Sequence, residues 1–103
     1  SAQVYTPGIY TSAIKLNNTN LAVEVVVDSE KVQSIRLQNL DESVAAMYPL
    51  LQPTLENIAD QICAGQSLDN ITLSDDTPYT SRLLINAIEE ALNQVSMADK
   101  KVH

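Results

Sequence analysis

The chain has few of the side chains on which most enzymes depend. Its one histidine is His103, at the last position, and its one cysteine is Cys63. A Ser-His-Asp triad and a histidine-ligated zinc site are therefore not expected, and no nucleophile has an evident base partner for hydrolysis. One cysteine cannot form a disulfide framework, and its apolar neighbours predict a buried structural thiol. We expect no independent catalytic activity.

Basic residues and long apolar runs are also scarce. Six Lys and Arg residues stand against 13 Asp and Glu residues, which gives a net charge of −7, and the basic ones are scattered. Nucleic-acid binding needs clustered cations, so no nucleic-acid partner is expected, and an anionic membrane surface would repel the chain. No window approaches the roughly 20 consecutive apolar residues of a transmembrane helix, so direct membrane insertion by this segment is not expected.

Because Phe and Trp are absent, Ile, Leu and Val must fill the core. A chain of 103 residues with 45% apolar content suits one domain. We predict a single domain over residues 1–97, followed by a polar, frayed tail over residues 98–103.

The first part of the chain alternates apolar and polar side chains with the period of a half-buried strand. Residues 9–16, 21–27 and 34–38 show this pattern, with Leu21, Val23 and Val25 on one face of the clearest strand. Short polar connections between them predict a three-stranded antiparallel meander. Residues 70–73 are compatible with a short extra strand.

From residue 41 the apolar spacing changes to that of a helix. The predicted apolar stripe consists of Val44, Met47, Tyr48, Leu51, Leu55, Ile58, Ala59 and Ile62. Pro49 and Pro53 predict a short helix over about 43–48 and a longer one that has Pro53 in its first turn and ends at Gly65. A last amphipathic helix follows Pro78. Strands followed by helices predict an α+β fold, with a small antiparallel sheet covered on one face by two or three helices.

The loop that enters the last helix is rich in hydroxyls and carboxylates. Its simplest interpretation is a helix start, with Thr77 as N-cap, Pro78 in the first helical position, and Asp75 and Asp76 at the positive end of the helix dipole. That interpretation accounts for residues 75–78 without any ligand.

A second interpretation is an anion site at the same helix end. Free backbone amides there, together with the hydroxyls of Ser74, Thr80 and Ser81, are suited to hold a phosphate. Tyr79 is suited to pack against a flat ring. Asp75 and Asp76 oppose this interpretation, because their charges would repel a phosphate a few ångströms away.

Several short segments carry a family resemblance through their order and spacing. They are Pro7-Gly8-Ile9-Tyr10, Val25-Val26-Val27-Asp28 followed by Lys31-Val32, Gln66-Ser67, Tyr79-Thr80-Ser81, and Ala87-Ile88-Glu89-Glu90-Ala91-Leu92. Over most of its length the chain resembles the FMN-binding domain of the flavin-carrying subunits in sodium-pumping NADH:quinone reductase and Rnf-type complexes.

In that family the loop reads Ser-Gly-Ala-Thr, and the threonine carries FMN through a phosphoester bond. Ser74 and Thr77 match the motif, whereas Asp75 and Asp76 replace its glycine and alanine, and Pro78 resembles a one-residue insertion. The resemblance implies an FMN site at Thr77 and Ser74 together with residues 79–81. Because glycine permits close backbone approach to a phosphate and aspartate does not, covalent attachment of the flavin is not expected here.

The resemblance also implies a biological setting. It implies flavin-mediated electron transfer with a redox partner protein, in a parent protein that is extracytoplasmic or membrane-anchored. The alternative hypothesis is a cofactor-free structural or protein-interaction domain that keeps the same fold, and the sequence leaves both open.

Overall fold

Three strands precede three helices in the part of the chain that the structure describes. The computed structural model describes residues 6–16, 19–65, 71–73 and 78–101. The elements are β1 (Gly8–Leu16), β2 (Thr19–Val27), β3 (Val32–Gln38), α1 (Glu42–Met47), α2 (Leu51–Gly65) and α3 (Pro78–Lys101). The strands form one antiparallel sheet in the order β1-β2-β3, which confirms the predicted α+β fold and its meander.

The strand alternation sets which face of the sheet is buried. Ile14 pairs with Leu21, and both are buried, as are Val23, Val25 and Val27 farther along β2. The opposite face is polar at its centre, where Glu24 lies across from Arg36 and accepts a hydrogen bond from its guanidinium at 3.0 Å. The predicted alternation of these strands is confirmed.

A bulge in β3 changes the alternation at its start. Val26 pairs with Ser34 but Val27 pairs with Val32, so Gln33 is an extra residue between them. An extra residue shifts the side-chain period by one. Val32 and Ile35 are therefore both buried although they are three positions apart.

The helices after the sheet begin and break near the predicted positions. Asp41 caps α1, its carboxylate accepting from the Val44 amide at 2.9 Å. Residues 48–50 separate α1 from α2, and Pro53 lies in the first turn of α2. The predicted place of Met47 in the buried stripe is wrong, since its side chain is 60% exposed. The helical period does not continue across the break at Pro49, so Met47 falls out of phase with the stripe of α2.

Helix α3 supplies the largest apolar surface against the sheet. Its buried apolar residues, among the side chains that the structure describes, are Leu84, Ile85, Ala87, Ile88, Ala91 and Val95, and they form a wider face than the predicted stripe. It continues to Lys101, four residues beyond Met97, where the sequence predicted a frayed tail. No Gly or Pro follows Pro78, so no strong helix breaker stops it earlier.

The helices cover one face of the sheet. Helix α2 packs on β3, α3 packs on β1 and β2, and the two helices contact each other. Within the described parts of the chain, no helix combines the length and the apolar composition that crossing a bilayer requires.

Candidate functional site

Residues 71–73, which precede the loop that enters α3, are held by hydrogen bonds to a side chain and not by pairing with a strand. Ile71 and Leu73 are half-buried against the core, and Thr72 between them is exposed. These three residues belong to no strand, so the optional extra strand is not formed by them, and Asn70 lies outside the described residues. A side chain of α2 occupies the place of the missing strand partner.

That side chain is Gln61. Its Nε2 donates to the Thr72 carbonyl at 2.9 Å, and its Oε1 accepts from the Thr72 amide at 2.8 Å. Gln61 Nε2 also donates to Asn57 Oδ1 at 2.6 Å. One amide group thereby satisfies both backbone polar groups of Thr72, as a neighbouring strand would. The chain is thus tied to α2 just before residue 74.

The first turn of α3 places the predicted site residues in three different environments. Tyr79 is 70% exposed, Thr80 is half-buried, and Ser81 is only 1% exposed. Successive helical residues project about 100° apart, so these three side chains cannot share one face. Ser74 and Thr77 lie outside the described residues, as do Asp75, Asp76 and the predicted N-cap interaction of Thr77.

A pocket of about 210 Å³ opens beside this first turn. Leu16 of β1, residues 47–51 around the α1–α2 connection, and Thr80 of α3 form its walls. The lining residues are apolar except for Tyr48 and Thr80, which carry hydroxyls. Thr80 is thus the predicted residue that the described structure places in a concave site, and the hydroxyl of Ser81 is in the core.

The rim of the pocket is unusually apolar for a surface. Met47 is 60% exposed and Leu50 is 52% exposed, and both line the pocket. Tyr79 is exposed and directly precedes Thr80. This pocket was not predicted from the sequence. The signal that points to it is the break at Pro49, which removes Met47 and Leu50 from any buried helical stripe.

Cys63 and the acidic side chains away from the pocket form no reactive or metal-binding site among the described residues. Cys63 is half-buried, and burial together with the nearby charge of Asp60 raises the pKa of its thiol. A raised pKa leaves the thiol protonated and weakly nucleophilic at neutral pH. Within the described ranges, no group of three His, Cys, Asp or Glu side chains is placed to hold a metal ion.

The described residues fit one part of a flavin. An engineered apolar cavity of about 150 Å³ binds benzene, so a pocket of about 210 Å³ has room for one substituted ring. It is too small for the three fused rings of the isoalloxazine. The apolar walls suit a hydrocarbon edge, and Thr80 offers a hydroxyl at the side where α3 begins.

Comparison with models of known protein families finds no matching family, and comparison with curated proteins finds no matching relative. The resemblance to the FMN-binding domain therefore rests on the residues quoted above.

Proposed function

We propose that this domain is an FMN-binding-domain-like module that holds the flavin without a covalent bond and serves electron transfer. The observation that carries the proposal is the position of the apolar pocket, which meets the first turn of α3 at Thr80. FMN joins a flat ring to a phosphate, so it needs an apolar recess close to a polar helix start. The order of strands and helices is compatible with the family that the sequence resembles.

Each described residue has a defined part in this proposal. Leu16 and Leu51 exclude water from the ring, Thr80 offers its hydroxyl at the pocket wall, and Tyr79 presents an exposed ring to the flavin face. By the resemblance, Ser74 and Thr77 face the phosphate. A bound flavin supplies the electron-carrying chemistry, so the protein needs no catalytic acid or base of its own.

Partner and location belong to the same proposal and rest on the resemblance alone. The module exchanges electrons with a redox partner protein. Its parent protein is extracytoplasmic or membrane-anchored. The chain contributes the flavin holder and no membrane-spanning helix within the described residues.

The test is a titration of the purified protein with FMN, followed by flavin fluorescence and by the shift in thermal unfolding. Leu50→Ala should weaken binding by roughly 3- to 10-fold, because it withdraws a few apolar groups from the ring. Ile9→Ala is the matched control, since Ile9 is also exposed and aliphatic but its partner in the sheet is Val26, far from the pocket lining. The proposal is overturned if FMN added to the parent protein causes no change in fluorescence and no shift in thermal unfolding.

A specific observation favours a second candidate, the cofactor-free interaction domain. Ser81, which the resemblance implies as a ligand hydroxyl, is 1% exposed, while Met47, Leu50 and Tyr79 are exposed apolar side chains. Exposed apolar side chains of this size are enriched at protein contact surfaces. The informative variant combines Asp75→Gly and Asp76→Ala with deletion of Pro78. If it gains flavin where the parent binds none, the parent is a cofactor-free descendant of a flavin site.

A further inference from the structure

We propose that the pocket is a site for one methyl-substituted six-membered aromatic ring, and that in a bound flavin this ring is the dimethylbenzene edge. The inference rests on the proposed function for the identity of the whole ligand. Its physical basis is the size, lining and rim of the pocket itself.

The size of the pocket selects the part of the ligand that enters. Its volume of about 210 Å³ exceeds the roughly 150 Å³ that accommodates benzene by enough for ring methyl groups. The pocket cannot enclose a whole three-ring system, so part of it must remain outside. The ligand therefore enters by one edge.

The lining selects which edge that is. The lining side chains offer mostly hydrocarbon surface, and only Tyr48 and Thr80 carry a hydroxyl. The pyrimidine side of a flavin carries two carbonyls and an imide group, so burying it against these walls would leave polar groups without partners, which is costly. The dimethylbenzene side carries no polar atoms. It can lose its water in this pocket without an unsatisfied group.

The rim supports the rings that stay outside. Met47 and Leu50 line the pocket, and both are exposed. A thioether and an aliphatic side chain are both suited to contact a flat ring face. In this orientation the polar edge of the flavin ring remains in water, where a partner protein can approach it.

The experiment uses protein with labelled leucine methyl groups and two probes, o-xylene and FMN. With o-xylene alone, the methyl resonances of Leu16, Leu50 and Leu51 should shift, while those of Leu21, which does not line the pocket, should stay in place. With FMN, nuclear Overhauser contacts should join the two flavin ring methyls to Leu16 and Leu51. A flavin that lacks both ring methyls should bind about an order of magnitude more weakly than FMN.

The outcomes separate this inference from the proposed function. If o-xylene shifts the three leucines and FMN does not bind, the ring site stands and the flavin function fails. If FMN binds without contacts from its ring methyls to Leu16 or Leu51, the flavin function stands and the ring site is overturned. If neither probe moves these resonances and FMN changes neither the flavin fluorescence nor the thermal unfolding, both are overturned.

Discussion

The side-chain amide of Gln61 pairs with both backbone polar groups of Thr72, which lies 11 positions farther along the chain. This pairing joins α2 to the segment that leads into α3. Ile71 and Leu73, on either side of Thr72, pack against the core. Residues 71–73 are therefore held both by apolar packing and by two hydrogen bonds.

Replacing Gln61 with Ala should lower the free energy of unfolding by about 1–2 kcal/mol, because two hydrogen bonds to the backbone are lost. The Thr72 amide should also lose its protection from hydrogen exchange. Gln61→Glu keeps an acceptor for the Thr72 amide but places a carboxylate against the Thr72 carbonyl, so it should destabilise as well. Gln52→Ala, exposed on the same helix, is the control. Unchanged exchange at Thr72 in Gln61→Ala would contradict the prediction.

The turn between β2 and β3 makes stability depend on pH. Asp28 Oδ1 accepts from the amides of Glu30 and Lys31, each at 2.7 Å, and Oδ2 accepts from the Gln33 side chain. These bonds favour the carboxylate and hold the pKa of Asp28 below its ordinary value of 3.8. The folded chain therefore binds this proton more weakly than the unfolded chain. The stabilisation is present above the ordinary pKa and is lost as the pH falls through the lowered one.

Asp28→Asn should therefore be less stable than the parent at neutral pH, and the difference should shrink in acid. Urea unfolding measured at neutral pH and in steps down to strongly acidic pH checks this. Glu56→Gln, exposed on α2, controls for the loss of one negative charge. A difference that stays constant over the whole pH range would count against the prediction.

A hydroxyl in the core lowers the stability of the fold. Ser12 is buried on the helix-facing side of β1, and its Oγ has no hydrogen-bond partner among the described residues. Burying an unpaired hydroxyl costs about 1–3 kcal/mol by protein mutational data. Ser12→Ala should therefore raise the midpoint of urea unfolding, with the slope unchanged. A lower midpoint would show that the hydroxyl has a stabilising partner.

The outer edge of β1 is covered by a side chain of α3. Gln94 Nε2 donates to the Thr11 carbonyl at 2.7 Å. Gln94→Ala should lower the free energy of unfolding by about 1 kcal/mol and leave an edge carbonyl open to other strands. Thermal unfolding and size-exclusion chromatography measure the two effects. Asn93→Ala, exposed at the next position, should show neither, and equal behaviour of the two variants would refute the role of Gln94.

The sheet could be predicted because one buried face imposes a strict period of two on β1 and β2. The bulge at Gln33 could not be predicted, because the position of one extra residue depends on how the two strands pair and leaves no pattern in the sequence. Pro49 predicted the break between α1 and α2. It did not predict that Met47 would face outward, since the phase of a six-residue helix depends on how it packs.

The candidate site was predicted only in part, for a similar reason. The first turn of α3 was located from Pro78, and Thr80 does line the pocket. The other walls come from β1 and from residues 47–51, which are distant in sequence and meet only through tertiary packing. The pairing of Gln61 with Thr72 is equally invisible in the sequence, because a glutamine on an exposed helix face has many alternatives.

The connection around Pro49 shapes the pocket without belonging to the helix on either side. Residues 48–50 belong to neither neighbouring helix, yet they build a large share of the recess beside α3. Substitutions at Leu50 can therefore reshape what the recess accepts while the strand pairing and the interior stay intact. The shape of this recess can therefore change at one short connection without a change in any helix or strand.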